Sequence, residues 1–186
     1  MDVGCANGKL LAMLNDKKKI VGSGLDISSE MNKLAKPQYP NFTFEQRSAQ
    51  EIPFNNESFD LIICSASFHH FPKPERFLIK AECLLRPNGR LVIAEIHIPF
   101  ITKIYNWWIN RFSTEGDVKV YQPKELTELF NQNGWKINKK KIFLQIQYYE
   151  LEKITDRILL ELIDKSVSNS KIRIRKNYGT RTTSQF

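Results

Sequence analysis

The sequence predicts an α/β fold with a mainly parallel, doubly wound sheet. Three observations carry this. Short apolar runs alternate with helical patterns through the first two-thirds of the chain. Two of those runs, Ser58–Cys64 and Arg90–Ile96, are apolar at successive positions, as a strand covered on both faces requires. The chain opens on Asp2-Val-Gly-Cys-Ala-Asn-Gly8, where a short strand turns into a helix through glycines.

Taken in order, Lys9 to Leu14 reads as the first helix and Lys19–Leu25 as a strand. Ser28 then serves as N-cap for a helix over Glu30–Lys36. Phe42–Arg47 alternates apolar and polar residues, the period of a strand. After the strand at 58–64, Pro74 begins a helix whose Phe77, Leu78, Ala81, Leu84 and Leu85 share one face. Pro87-Asn-Gly89 makes a turn into the strand at 90–96. Gln122–Phe130 is a further helix, ended by Asn133-Gly134, and Trp135 to about Leu151 reads as two strands with Lys139–Lys141 near the first. An amphipathic helix over 152–165 would use Ile154, Ile158, Leu159, Leu162 and Ile163. The expected organisation is a domain over 1–151 followed by a C-terminal helix and basic tail over 152–186.

At 186 residues and 21.7 kDa the chain is sized for one such domain. With 41% apolar and 26% charged residues it has the composition of a globular protein with a core, and no apolar run reaches membrane-spanning length. The first residues lack the basic and apolar regions of a signal peptide. Three cysteines (Cys5, Cys64, Cys83) without a CxxC exclude a disulfide scaffold and a zinc ribbon, and the expected compartment is the reducing cytoplasm. Three histidines and three cysteines without ligand spacing give no metal site. The net charge of +8 is concentrated: residues 171–186 hold Lys171, Arg173, Arg175, Lys176 and Arg181 and no acid. Such a tail can contact nucleic acid or anionic lipid, but a solvated terminus is the preferred reading.

The glycine loop admits three nucleotide-binding readings. A Walker loop needs four residues between its glycines and a Ser or Thr after the Lys; here three residues intervene and Leu10 follows Lys9. A GxGxxG fingerprint fails at Ala6 and Lys9. An acid-x-Gly-x-Gly-x-Gly loop with Ala6 in the middle position fits best. Asp26, 18 residues beyond Gly8 at the end of the next strand, can accept both hydroxyls of a ribose, or cap the following helix.

In this order the residues resemble the class I S-adenosylmethionine-dependent methyltransferases, closest to the small-molecule type 11 group related to quinone C-methyltransferases. Asp2–Gly8 resembles the first motif, Ser48–Phe54 the segment that frames the adenine, Ser58–Cys64 with Phe68-His-His-Phe71 the fourth strand and its loop, and Leu84–Ile93 the approach to the fifth strand. The resemblance covers about residues 1–150. It implies a Rossmann-like sheet with an antiparallel final strand, S-adenosylmethionine as cofactor and methyl transfer to a small-molecule acceptor. It assigns Asp2, Gly4, Cys5 and Gly8 to the methionine end, Asp26 to the ribose, and Ile27, Ser48, Ala49 and Gln50 to the adenine. Ser65 and Ala66 fall beside the methionine group through their backbone. Ser48 stands where the family often has Asp, and Ala6 where it has Gly. The family has a helical region before the first motif, so the sequence reads as N-terminally truncated.

Methyl transfer from a sulfonium needs alignment and exclusion of water, and a general base only where the acceptor loses a proton. His69 and His70 are the candidate bases, each alternatively packed or bonded to its loop; His97 is a more distant one. The Cys-Ser-Ala-Ser run at 64–67 lacks the Pro-Pro-Tyr type motif of adenine and glutamine N-methyltransferases. Tyr105, Trp107, Trp108 and Phe112 suit a substrate lid, a membrane surface, core packing or a dimer contact equally. The rival functions are a methyltransferase-like domain without catalysis and, drawing only on the tail and Lys139–Lys141, an RNA methyltransferase. No residue identifies an oligomeric state.

Overall fold

A computed structural model describes residues 1–99, 102, 106, 107, 111 and 119–154. Tyr105, Trp108 and Phe112, the helix expected over 152–165 beyond its first three residues, and the basic tail lie outside the described residues. Met1–Lys153 form one compact unit.

Seven strands form one sheet in the order β3-β2-β1-β4-β5-β7-β6. They are β1 (Asp2–Val3), β2 (Ser23–Asp26), β3 (Thr43–Gln46), β4 (Phe59–Ser65), β5 (Leu85–Ile96), β6 (Trp135–Phe143) and β7 (Ile146–Lys153). β1 pairs parallel with both β2 and β4, whereas β7 runs antiparallel to both β5 and β6. The Rossmann-like order and the antiparallel last strand are as the sequence predicts. Helices α1 (Lys9–Lys17), α2 (Ser29–Gln38), α3 (Pro74–Leu84) and α4 (Pro123–Gln132) connect the strands, with a 3-10 turn at Phe68–His70. Ser28 caps α2 by accepting the Met31 N–H at 3.2 Å.

Three details differ from the sequence expectation. The strand expected from Lys19 begins only at Ser23, because β1 offers ladder partners at Asp2 and Val3 alone, and Val21 is fully exposed. The turn at 87–89 lies inside β5 as an irregularity: pairing with β4 passes from Phe59–Leu85 directly to Leu61–Arg90. β4 is fully covered on one face only. Ile62 and Cys64 are buried completely, while Leu61 is exposed and Ile63 half-buried. On α3, residues 77, 78, 81 and 84 take the buried face and Cys83 is exposed.

The main core packs α3 and α4 against the Leu91–Ile93–Tyr149–Leu151 face of the sheet. Phe68 lies at its centre, with ring centroids 5.5–6.1 Å from Phe71, Phe77, Tyr121 and Phe130. A second cluster (Cys5, Leu11, Ala35, Phe44) seats α1 and α2 on the opposite face of β2 and β3. The first cluster anchors the loop after β4, and the second anchors the loop after β1. These loops flank the point where the strand order reverses, which is where open α/β sheets bind ligands.

Candidate active site

The loop from β1 to α1 folds through three left-handed residues, Gly4 (φ 75°), Ala6 (φ 45°) and Gly8 (φ 79°). Neither glycine tolerates a side chain: a Cβ at Gly4 would lie 2.3 Å from Ser67 Oγ, and one at Gly8 2.7 Å from the Phe44 ring. Their immediate role is therefore to let the two loops and the second core close up. Cys5 is committed to the same task. Its side chain is buried against Leu11 and Phe44, its N–H donates to Leu25 O at 3.1 Å and its carbonyl accepts the Gly8 N–H at 2.9 Å. Burial pushes its thiol up to about 12, so it is no nucleophile at neutral pH.

Ala6 carries a methyl group in a backbone conformation that costs an L residue about 1–2 kcal/mol. Ala6→Gly removes that strain at the price of about 0.5–1 kcal/mol of added chain entropy. The expected net result is a stability gain of about 0.5–1 kcal/mol, read from urea denaturation.

Asp26, at the end of β2, holds this loop. One carboxylate oxygen accepts the Ala6 N–H and the other the Ser28 N–H, each at 2.8 Å. Of the two alternatives read from sequence, capping of α2 falls to Ser28, which Asp26 braces, and for the ribose a carboxylate has lone pairs left for two further donors. Ile27 beside it is 74% exposed, an apolar face next to that carboxylate. Ser48 Oγ accepts the Gln50 N–H at 3.3 Å, a local turn that sets the chain after β3. Gln50 is half-buried, but Ala49 is buried in the main core and lines no surface.

Asp2 is almost completely buried, and its Oδ1 has no hydrogen-bond partner. Burial raises its carboxyl to about 6; the Met1 amine pulls it down, and Asp26 pushes it further up. A buried acceptor of this kind calls for a donor or a cation. At the other side of the loop, α1 begins without a side-chain cap from Gly8; Asn7 Oδ1 accepts the Lys9 N–H at 3.3 Å, and the dipole of the helix start favours an anion.

Across the switch point, Ser65 is half-buried and Ala66 is exposed with a left-handed backbone (φ 51°). The Ala66 N–H donates to Ala94 O at 2.8 Å. Ser67 Oγ donates to Val3 O at 2.9 Å and so ties this loop to β1. His69 and His70 separate sharply. His69 is buried and its Nδ1 lies 2.7 Å from Glu95 Oε2; His70 is exposed, with its ring centroid 4.0 Å from that of His69. The other Glu95 oxygen accepts the Phe68 N–H at 2.8 Å. Glu95 is the site residue that the sequence reasoning missed. Its signal was an acid inside the apolar run Leu-Val-Ile-Ala-Glu-Ile, where only a paired carboxylate can stand. His97 is placed apart, its N–H on Gln145 O at 2.7 Å and its Nδ1 buried without a partner. A separate open groove of about 430 Å³ between Phe71, α3 and α4 contains no residue of the Gly4–Gly8 loop.

The chain matches the model of a methyltransferase domain (type 11) over residues 1–93. Demethylmenaquinone methyltransferase of Thermotoga maritima is 25% identical over 168 residues, covering 78% of this chain and 73% of that protein. Ubiquinone biosynthesis O-methyltransferase of Coxiella burnetii is 26% identical over 148 residues, covering 74% of the chain and 63% of that protein. A Brucella suis ubiquinone/menaquinone biosynthesis C-methyltransferase is 32% identical over 92 residues, which span 48% of the chain and only 34% of that protein. Among solved structures, an S-adenosylmethionine-dependent methyltransferase from Mesorhizobium loti superposes with a TM-score of 0.69 at 16% identity, covering 81% of this chain and 88% of that one. The strand order, the loop at its reversal point and a family match over half the sequence agree: the chain belongs to the S-adenosylmethionine-dependent methyltransferase domain family.

Proposed function

We propose that the chain transfers a methyl group from S-adenosylmethionine to a small-molecule acceptor by in-line displacement. The observation that carries this reading is Asp26, which braces the first loop and the start of α2 with one bond from each oxygen and keeps acceptor capacity for a ribose. The residues present fit the cofactor. The orphaned Asp2 Oδ1 suits its ammonium group, the dipole at the N-terminus of α1 its carboxylate, and exposed Ile27, with Gln50 and the Ser48 turn, its adenine. Gly4, Cys5 and Gly8 act through backbone shape, and Ser65 and Ala66 close the opposite wall; Ala49 supports from the core. When bound, the cofactor supplies a methyl group already activated by a sulfonium.

His69 is the proposed base for an acceptor that must lose a proton. Glu95 holds Nδ1, which directs the proton-accepting role to Nε2. The aromatic cluster around Phe68 keeps the pair rigid, so little reorganisation accompanies proton transfer. His70, exposed and tilted against the His69 ring, forms the outer side of the same loop. The relatives named for quinone biosynthesis support an aromatic acceptor with a weakly acidic hydroxyl or ring carbon.

Calorimetric titration with S-adenosylhomocysteine tests the reading. We expect micromolar binding at pH 7. The ligand ammonium favours ionised Asp2 and lowers its carboxyl from about 6, so binding releases a proton below that pH. Affinity is therefore nearly complete by about pH 7, halves near pH 6 and falls about tenfold by pH 5. Asp2→Asn flattens the profile. No binding by a cooperatively folded chain overturns the cofactor assignment, and binding without transfer to any hydroxyquinone favours a domain without catalysis.

A further inference from the structure

We propose that the tip of the β6–β7 hairpin is a docking surface for an anionic lipid bilayer. Four large apolar side chains crowd this turn, with Ile142 47%, Phe143 73%, Leu144 75% and Ile146 56% exposed. Leu144 turns the hairpin in the left-handed region (φ 50°), where Gly or Asn is the usual choice, so neither turn geometry nor core packing accounts for a leucine there. Strand register extends the patch. Phe143 pairs with Ile146, and Ile146 with Ile96, so three apolar residues form a row across β6, β7 and β5. An exposed contiguous patch of this kind marks an interaction surface.

The charge behind the row identifies the partner. Of the three consecutive lysines, Lys140 faces α4 and donates to Thr127 Oγ1 at 3.0 Å, with its ammonium 5.4 Å from the Tyr149 ring centroid. Lys139 and Lys141 alternate to the opposite side, the side of Phe143 and Ile146, and neither joins an ion pair among the described residues. An apolar wedge with lysines set back from it matches an acyl boundary under anionic headgroups. A second copy of the chain fits poorly, because pairing two β6 edges brings Lys136, Lys139 and Lys141 against their own kind. Ile96 follows Glu95 directly, so the docked face adjoins the end of the sheet that carries the Glu95–His69 pair. That an acceptor dissolved in the bilayer would reach the site this way rests on the proposed methyl transfer; the docking itself does not.

Co-sedimentation of the 186-residue chain with vesicles, without cofactor, tests the surface. Phosphatidylcholine vesicles containing phosphatidylglycerol should pellet the protein, and pure phosphatidylcholine vesicles should do so far less. A Phe143→Ser/Leu144→Gly variant should lose about a hundredfold in partitioning, from removal of two inserting side chains. Lys139→Gln/Lys141→Gln should lose about thirtyfold. Both variants alter exposed positions, and thermal melts together with the S-adenosylhomocysteine titration confirm that they stay folded. A third variant, with the five basic residues of 171–186 changed to Gln, separates the tip from the tail. Retained binding in this third variant supports the tip. The proposal is overturned if binding follows the tail alone, if the tip variant pellets like the parent, or if the tip mediates only a concentration-dependent dimer on gel filtration.

Discussion

Asp26→Ala abolishes S-adenosylhomocysteine binding while leaving a folded chain. The carboxylate contributes at two levels. It holds the Ala6 and Ser28 N–H groups at 2.8 Å, so its removal frees the loop that shapes the site. It also withdraws both acceptors proposed for the ribose. Two hydrogen bonds to a charged group are worth about 3–6 kcal/mol together, a loss of about 10²–10⁴-fold in affinity. The fold survives because Ser28 still caps α2 through its hydroxyl and Asp26 lies outside both cores. Asp26→Asn should fall between the two, since the amide keeps one acceptor and sets an NH2 group against a backbone N–H. Calorimetry reads the affinity and a thermal melt reads the fold; binding within threefold of the parent in folded Asp26→Ala rejects the ribose assignment.

His69→Ala and Glu95→Gln each cost about 10²–10⁴-fold in methyl transfer to an acceptor that loses a proton, with S-adenosylhomocysteine affinity unchanged within about threefold. Glu95→Gln is the more informative change. Its carbonyl oxygen can still accept the Phe68 N–H, which Glu95 Oε1 binds at 2.8 Å, and this keeps the turn. Its amide, however, donates to Nδ1. The imidazole must then carry its proton on Nε2, the wrong tautomer for a base, as in the asparagine variant of a serine-protease triad. The rate should therefore fall although the ring stays in place. The split is kinetic: kcat falls while KM for the cofactor holds. A merely structural Glu95 would instead lower the melting temperature and cofactor affinity together. If His69→Ala retains the parent rate, the acceptor ionises without help from this pair.

Much of the architecture was legible in the sequence because it depends on short-range rules. The strand and helix order follows from apolar period, and the start of α2 from the Ser28 hydroxyl, which reaches its own helix whatever the rest of the chain does. Asp26 was legible for the same reason: its distance from Gly8 and its place at a strand end are local facts. So was the match to the family, since its motifs are short and ordered.

Other features depended on which strands lie side by side. Glu95 and His69 are 26 residues apart and meet because β4 and β5 pair in parallel, which brings the loop after β4 beside the end of β5. Alternation turns Glu95 to the same buried face as Leu91 and Ile93, and burial makes pairing obligatory. Ala6 reads as a modest substitution in sequence, yet the backbone places it at φ 45°, where its methyl group is strained. The run Lys139–Lys141 reads as one basic patch, but the two-residue period of β6 gives one lysine to α4 and two to the opposite face. Sequence by itself thus determined the order of elements, the glycine loop and the position of Asp26, all set by interactions within a few residues. Tertiary structure alone decided the contact between Glu95 and His69, the strain in the loop and the two-sided lysine run, because sheet register and burial choose the partners of residues far apart in the chain.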